Sequence, residues 1–189
     1  AVFAGGGDYP GNEFIIGSGR DALLGRYKSG RRKLGRRDQM TLEFAGVYRH
    51  YHAAFMRTLV IGEPRPRHVE MHKACLAAMK ACEAVMRPGH TAGDVFDAHA
   101  RVMDEHGMEK HRFKACGYSQ GAKFTPSWMD FPMFFHGNPV ELKANMVYFL
   151  HMILMDSDTE TAMCLGRTYI LTDGKPQPVS KYPLDLIVR

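Results

Sequence analysis

Glu43 is the first residue whose type and place suggest chemistry: a carboxylate between Leu42 and Phe44, inside a run from Met40 to Val47 that reads as a β-strand. A carboxylate so flanked can act as a nucleophile or general base on a polarised carbon, because partial burial shifts its protonation equilibrium. His151, the imidazole inside the otherwise apolar run Val147 to Met155, is the candidate proton carrier. Each has a plainer reading. Glu43 would pair with Arg49 or Arg57 as a buried ion pair, and His151 would be a satisfied core histidine. Arg49-His50-Tyr51-His52 puts two imidazoles at i and i+2, on one face of a strand, but no third ligand follows at a recognisable spacing and no metal is expected there. Cys75, Cys82, Cys116 and Cys164 have no CxxC spacing and read as buried, reduced thiols. Dinucleotide (GxGxxG), Walker and HExxH signatures are absent.

The elements that must position these groups follow from periodicity. Phe14 to Ile16 is a short strand punctuated by Gly17 and Gly19, and Tyr48 to Gly62 is a hairpin partner for the Glu43 strand, stopped by Pro64 and Pro66. Apolar residues at intervals of three and four from Arg67 to Met86 predict a helix stopped by Arg87-Pro88-Gly89. Thr91 followed by Asp94 resembles a capping box and opens a second amphipathic helix closed by Gly107. A loop-rich aromatic stretch, Gly117 to Gly137, leads to two strand-length runs, Met146 to Met155 and Arg167 to Thr172, with Asp173-Gly174 as a turn signal and Asp156 and Asp158 as turn residues. Strands, helices, then strands is an α+β order.

The 189 residues, 45% hydrophobic and 24% charged, suit one globular domain. The net charge of +5 is local: Arg20 to Arg37 carries eight basic residues and one acid, leaving 17 basic and 19 acidic residues elsewhere. A nucleic-acid partner is therefore not expected. With no apolar run of membrane-spanning length and no secretory pattern, neither is a membrane, and the chain is expected to be cytoplasmic. The start at Ala1 and the loop-like opening AGGGDYPGN suggest a fragment of something longer.

The order of several motifs resembles the creatinase, methionine aminopeptidase and prolidase family, whose catalytic domain has the pita-bread fold. FIIGSG (Phe14 to Gly19), TLEFAG (Thr41 to Gly46), MRT (Met56 to Thr58), MRPG (Met86 to Gly89), TAGDVF (Thr91 to Phe96), CGYSQG (Cys116 to Gly121), NMVYFLHM (Asn145 to Met152) and GRTYILTDG (Gly166 to Gly174) stand where that family has corresponding segments. The resemblance covers nearly the whole chain. It implies a curved antiparallel sheet covered by helices, with residues 1–189 as a carboxy-terminal catalytic domain lacking its amino-terminal domain and perhaps its first helix. It also implies a homodimer.

The peptidases of the family hold two metal ions with two aspartates, one histidine and two glutamates, and their motifs place Glu43, Ala54, Tyr118, His151 and Gly166 at those positions. One carboxylate, one imidazole and one phenol do not make the oxygen-rich site that hard divalent ions want, so no metal and no other cofactor is expected. The departures point to the metal-free members, creatinase and above all ectoine hydrolase. The latter is similar in carrying a Glu at the Glu43 position, a Tyr-His pair like Tyr51-His52, and a tyrosine and tryptophan matching Tyr118 and Trp128. Trp128 is either packing or a substrate wall. Arg26, in GRY (Gly25 to Tyr27), stands where peptidases of the group carry a substrate-facing histidine and is a candidate clamp for a substrate carboxylate. The resemblance thus implies a small-molecule substrate and a metal-independent hydrolase cleaving a C–N bond of a cyclic amidine or guanidino acid. Glu43 and His151 would be catalytic, with Arg26, His52, Tyr118 and Trp128 binding substrate. The alternatives are an Xaa-Pro peptidase with an unusual metal site and a catalytically inactive binding domain.

Overall fold

The computed structural model describes residues 1–27 and 30–189. Lys28 of the basic cluster, with Ser29, lies outside the described residues. Nine strands are found among the described residues: β1 (Ile15–Ser18), β2 (Asp38–Tyr48), β3 (Tyr51–Ile61), β4 (Gly117–Ser119), β5 (Asp130–Met133), β6 (Val147–Asp156), β7 (Thr161–Ile170), β8 (Gln177–Pro178) and β9 (Ile187–Val188). Two helices, α1 (Pro66–Val85) and α2 (Ala92–Glu105), separate β3 from β4. All strands join one sheet in the order β1-β2-β3-β7-β6-β4-β5, with β8 beside β7 and β9 beside β3. Pairing is antiparallel except between β3 and β9. The expected α+β order and antiparallel sheet are present.

Local chemistry explains the element ends. The β2–β3 hairpin turns through Arg49 and His50, both at positive φ (49° and 65°), the twist a two-residue hairpin needs even without glycine. Packing holds it there: the His50 ring lies 4.3 Å from Phe124, and the Arg49 guanidinium 5.5 Å from the Tyr48 ring. Pro66 opens α1, where a missing N–H costs nothing. Thr91 caps α2 as its spacing predicts, its hydroxyl accepting from the Asp94 amide at 3.2 Å while the Asp94 carboxylate accepts from the Thr91 amide at 2.7 Å.

Two departures from the periodicity have physical reasons. β7 begins at Thr161 rather than Arg167, because buried on both faces its first half reads as a plain apolar run (TAMCLG) without alternation. The stretch Gly117 to Gly137 hides β4 and β5, each too short to show a period. Asp156 and Asp158 lie at the β6–β7 turn, where an Asp156 carboxylate oxygen accepts from the Asp158 and Thr159 amides, both at 3.1 Å.

The core divides across the sheet. One face of β6 and β7, with Leu150, Met152, Leu154, Met163 and Leu165, packs under α1 and α2 against Met71, Cys75, Met79 and Cys82. On the other face a smaller cluster joins Ala45, Ala54, Met56, Tyr118, Trp128 and Phe149. Glu43 and His151 lie on that second face.

Candidate active site

Strand register assembles the site. Glu43 opposes Met56, Met56 opposes Gly166, and Gly166 opposes His151, so these four residues form one row across β2, β3, β7 and β6. Directly opposed residues point to the same face, and alternation carries Ala45, Ala54, Thr168, Phe149 and Tyr118 to that face one step along. Over these rows lies a cavity of about 200 Å³ whose walls include Arg26, Glu43, Tyr118, Trp128, Met129 and His151. Five of the six residues expected to carry function therefore meet in one place. A larger, more open cleft of about 820 Å³ runs beside the hairpin tip, but among the described residues no Asp, Glu, Lys or Arg side chain lines it.

The protonation chemistry of the cavity follows from burial. Loss of water pushes the Glu43 carboxyl up to about 7, against the opposing pull of the Arg26 charge and a Tyr118 hydrogen bond. Burial drives His151 the other way, down to about 4, so its imidazole is neutral at neutral pH, and its Nδ1 has no partner among the described residues. Of the two, the carboxyl is the group poised to change protonation near pH 7. Tyr118 donates to Glu43 Oε1 at 3.4 Å, and the Trp128 indole donates to the Tyr118 oxygen at 2.9 Å.

Neither arginine considered as an ion-pair partner reaches Glu43. Arg57 projects from the opposite face; its guanidinium donates to the Met56 and Gly166 carbonyls at 2.7 and 2.6 Å and covers the Phe55 ring at 4.2 Å. Arg49 is held at the hairpin tip. The cation nearest in effect is Arg26, exposed at the cavity mouth, with a nitrogen 2.8 Å from the Met129 sulfur.

His52 is placed differently from the other five. Its Nε2 accepts from the Gly11 amide at 2.8 Å, its Nδ1 faces the His50 carbonyl at 2.7 Å, and it does not line the Glu43 cavity. These bonds fix one neutral tautomer and tie down the segment carrying Asn12, whose side-chain oxygen accepts from the Trp128 amide at 3.2 Å. Sequence reasoning missed several wall residues. Asn12 and Phe113 sit in irregular segments that offer no period, whereas Ile153 was within reach, since it stands two residues after His151 on one strand.

Phe149, its ring 5.5 Å from that of His151, bears on metal binding. A Cβ on Gly166 would lie 2.6 Å from Phe149 Cζ and 2.9 Å from Met56 Cβ, so the aromatic ring occupies the space a side chain at 166 would need. Ala54 offers no donor atom, and among the described residues no three His, Cys, Asp or Glu side chains come together as a metal site. The residues present do not fit a metal pair. Gly166→Ala is accordingly expected to destabilise the fold by about 1–3 kcal/mol through overpacking, read as a lower urea midpoint.

A mostly antiparallel sheet with two helices on one face and a carboxylate-bearing cavity on the other is the architecture of a pita-bread domain. The pattern of metallopeptidase family M24 matches residues 1–173, and the chain belongs to that family. It is 30% identical over 154 residues to an uncharacterized hydrolase/peptidase of Sinorhizobium fredii, covering 79% of this chain and 37% of that protein. It is 30% identical over 123 residues to an ectoine hydrolase of Halomonas elongata, covering 65% and 31%. The X-Pro aminopeptidase of Thermotoga maritima shares the fold with a TM-score of 0.91 at 19% identity, over 99% of this chain and 51% of that one. The chain thus spans about a third of these curated relatives and about half of the solved chain. Among the described residues no helix is long and apolar enough to cross a membrane.

Proposed function

We propose that this chain is the catalytic domain of a metal-independent hydrolase that cleaves a C–N bond in a small, carboxylate-bearing nitrogen compound such as a cyclic amidine or guanidino acid. The observation that carries this reading is Glu43: a buried carboxyl with no arginine or lysine in salt-bridge contact among the described residues, poised near pH 7, in a cavity of about 200 Å³ with a cation at its mouth. Ionised Glu43 draws a proton from the water that attacks the polarised carbon, or attacks that carbon itself as the carboxylate and is released by water in a second step. Neutral His151 passes the proton taken from that water to the departing nitrogen as the C–N bond breaks. Arg26 pairs with the substrate carboxylate and so sets the reacting carbon against Glu43. The likeness to an ectoine hydrolase supports this substrate class.

The name of the family and the hydrolase/peptidase relative favour a second reading, a metal-dependent peptidase. Elemental analysis of the purified protein separates the two: the proposal expects no stoichiometric manganese, cobalt or zinc, and a metal at one or two ions per chain would establish the peptidase reading. Lost turnover with retained binding across amidines, guanidino acids and prolyl dipeptides would instead favour a binding domain. The homodimer, the cytoplasmic setting and the place of residues 1–189 as the carboxy-terminal domain of a longer protein belong to the same proposal.

A further inference from the structure

We infer that Trp128 is a positioning residue for Glu43, acting through Tyr118 by fixing where the phenol proton points. The indole N–H can only donate, so in the 2.9 Å contact the Tyr118 oxygen accepts. With that lone pair engaged, the phenol O–H has Glu43 Oε1, at 3.4 Å, as its acceptor. A contact of that length is weak unless the proton is aimed along it, and the indole supplies the aim. Accepting from Trp128 also polarises the phenol and makes it a better donor, the usual cooperativity of a hydrogen-bond chain. Trp128 is held in turn by the bond from its backbone amide to Asn12 and by packing near the His52 ring, 6.3 Å away. The chain from indole to phenol to carboxylate is thus anchored at its far end.

The other groups facing Glu43 do not reproduce this. Arg26 acts on it from the mouth as a charge, His151 shares the cavity wall as a neutral ring, and the Cys164 thiol on β7 is pushed by burial to about 12 and stays protonated. Tyr118 is itself held protonated by burial and by the carboxylate beside it. The phenol is therefore the hydroxyl that accompanies Glu43 through a reaction, and its direction is set by a residue that need not touch substrate. This deepens the reading of Glu43 as the reacting carboxylate, yet its test needs no turnover, so a failed substrate assignment would leave it standing.

The test follows Glu43 by pH titration of the carboxyl carbon in protein labelled at glutamate, with its signal assigned by its loss in Glu43→Gln. Tyr118→Phe is expected to raise the Glu43 midpoint by about one pH unit, the worth of a modest hydrogen bond to a charged group. Trp128→Phe is expected to raise it by a few tenths of a unit, roughly the cooperative share. In a Tyr118→Phe background, Trp128→Phe should shift nothing further. Equal shifts from Trp128→Phe with and without the phenol would overturn the inference, as would an unmoved midpoint in either single variant. Because Trp128 is buried and its replacement can compromise folding, a second readout uses the protein's one tryptophan directly. Its emission should change with pH at the Glu43 midpoint in the unmodified chain and lose that transition in both Glu43→Gln and Tyr118→Phe. Emission without a transition near pH 7 in the unmodified chain would equally overturn it.

Discussion

Glu43→Gln is expected to reduce kcat by about a thousandfold or more, the scale set by removing a nucleophile or general base. Glutamine keeps the size and the hydrogen-bonding edge of the side chain, so the cavity walls and the Tyr118 contact have no steric reason to move. What it removes is the ionisable oxygen. With the carboxyl held near 7 by burial, the unmodified chain should show a rate that rises with pH through about 7 and levels above it, since the ionised form is the reactive one. The same variant should gain stability. The folded state keeps the Glu43 proton at pH values where the unfolded chain, with an ordinary value of 4.5, has lost it. Stability therefore falls as pH rises from about 4.5 to about 7 and stays lower above that, by at most about 3 kcal/mol. Urea unfolding should find Glu43→Gln more stable than the parent at pH 8 and nearly equal to it at pH 4. Loss of activity with gain of stability is what a carboxylate kept for chemistry produces, and a structural ion pair would produce the reverse.

Arg26→Ala is expected to raise KM for a carboxylate-bearing substrate by about 10- to 100-fold with a smaller change in kcat, the range for a charge-assisted hydrogen bond. Its guanidinium is exposed and, among the described residues, tethered only to the Met129 sulfur, so it can swing onto a ligand at little cost. Removing the cation also removes a force that lowers the Glu43 value, and the rate profile should move to higher pH in the variant. Esters or amides of the same substrate should be insensitive to the substitution. An unchanged KM would return Arg26 to the basic cluster, three other members of which pair with acids: Arg20 with Glu160, Arg32 with Asp38 and Arg37 with Glu63.

How far the site was legible in the sequence depended on which force placed each residue. Glu43 stood out because a charge between Leu42 and Phe44 breaks the expectation for a buried strand, and α2 was readable from its cap because Thr91 and Asp94 satisfy amides through local bonds. Long-range register is what local pattern cannot carry. That Glu43, Met56, Gly166 and His151 share a row depends on pairing between strands more than a hundred residues apart, fixed by the sheet as a whole. His52 illustrates the limit: the resemblance of Tyr51-His52 to a Tyr-His pair suggested a substrate contact, while the fold spends both ring nitrogens on backbone groups of the Gly11 and His50 segments. Phe149 illustrates the converse, an apolar residue whose ring fills the space beside Gly166 and so bears on metal binding as much as the missing donors do.

The central claim is that Glu43, rather than a bound metal pair, performs the chemistry. The most direct measurement is the turnover of a panel of cyclic amidines and guanidino acids by chelator-stripped protein, assayed beside Glu43→Gln under the same conditions. Full activity of the stripped parent and a loss of about a thousandfold in the variant is the predicted result. Activity that disappears on stripping and returns with manganese, cobalt or zinc would contradict it.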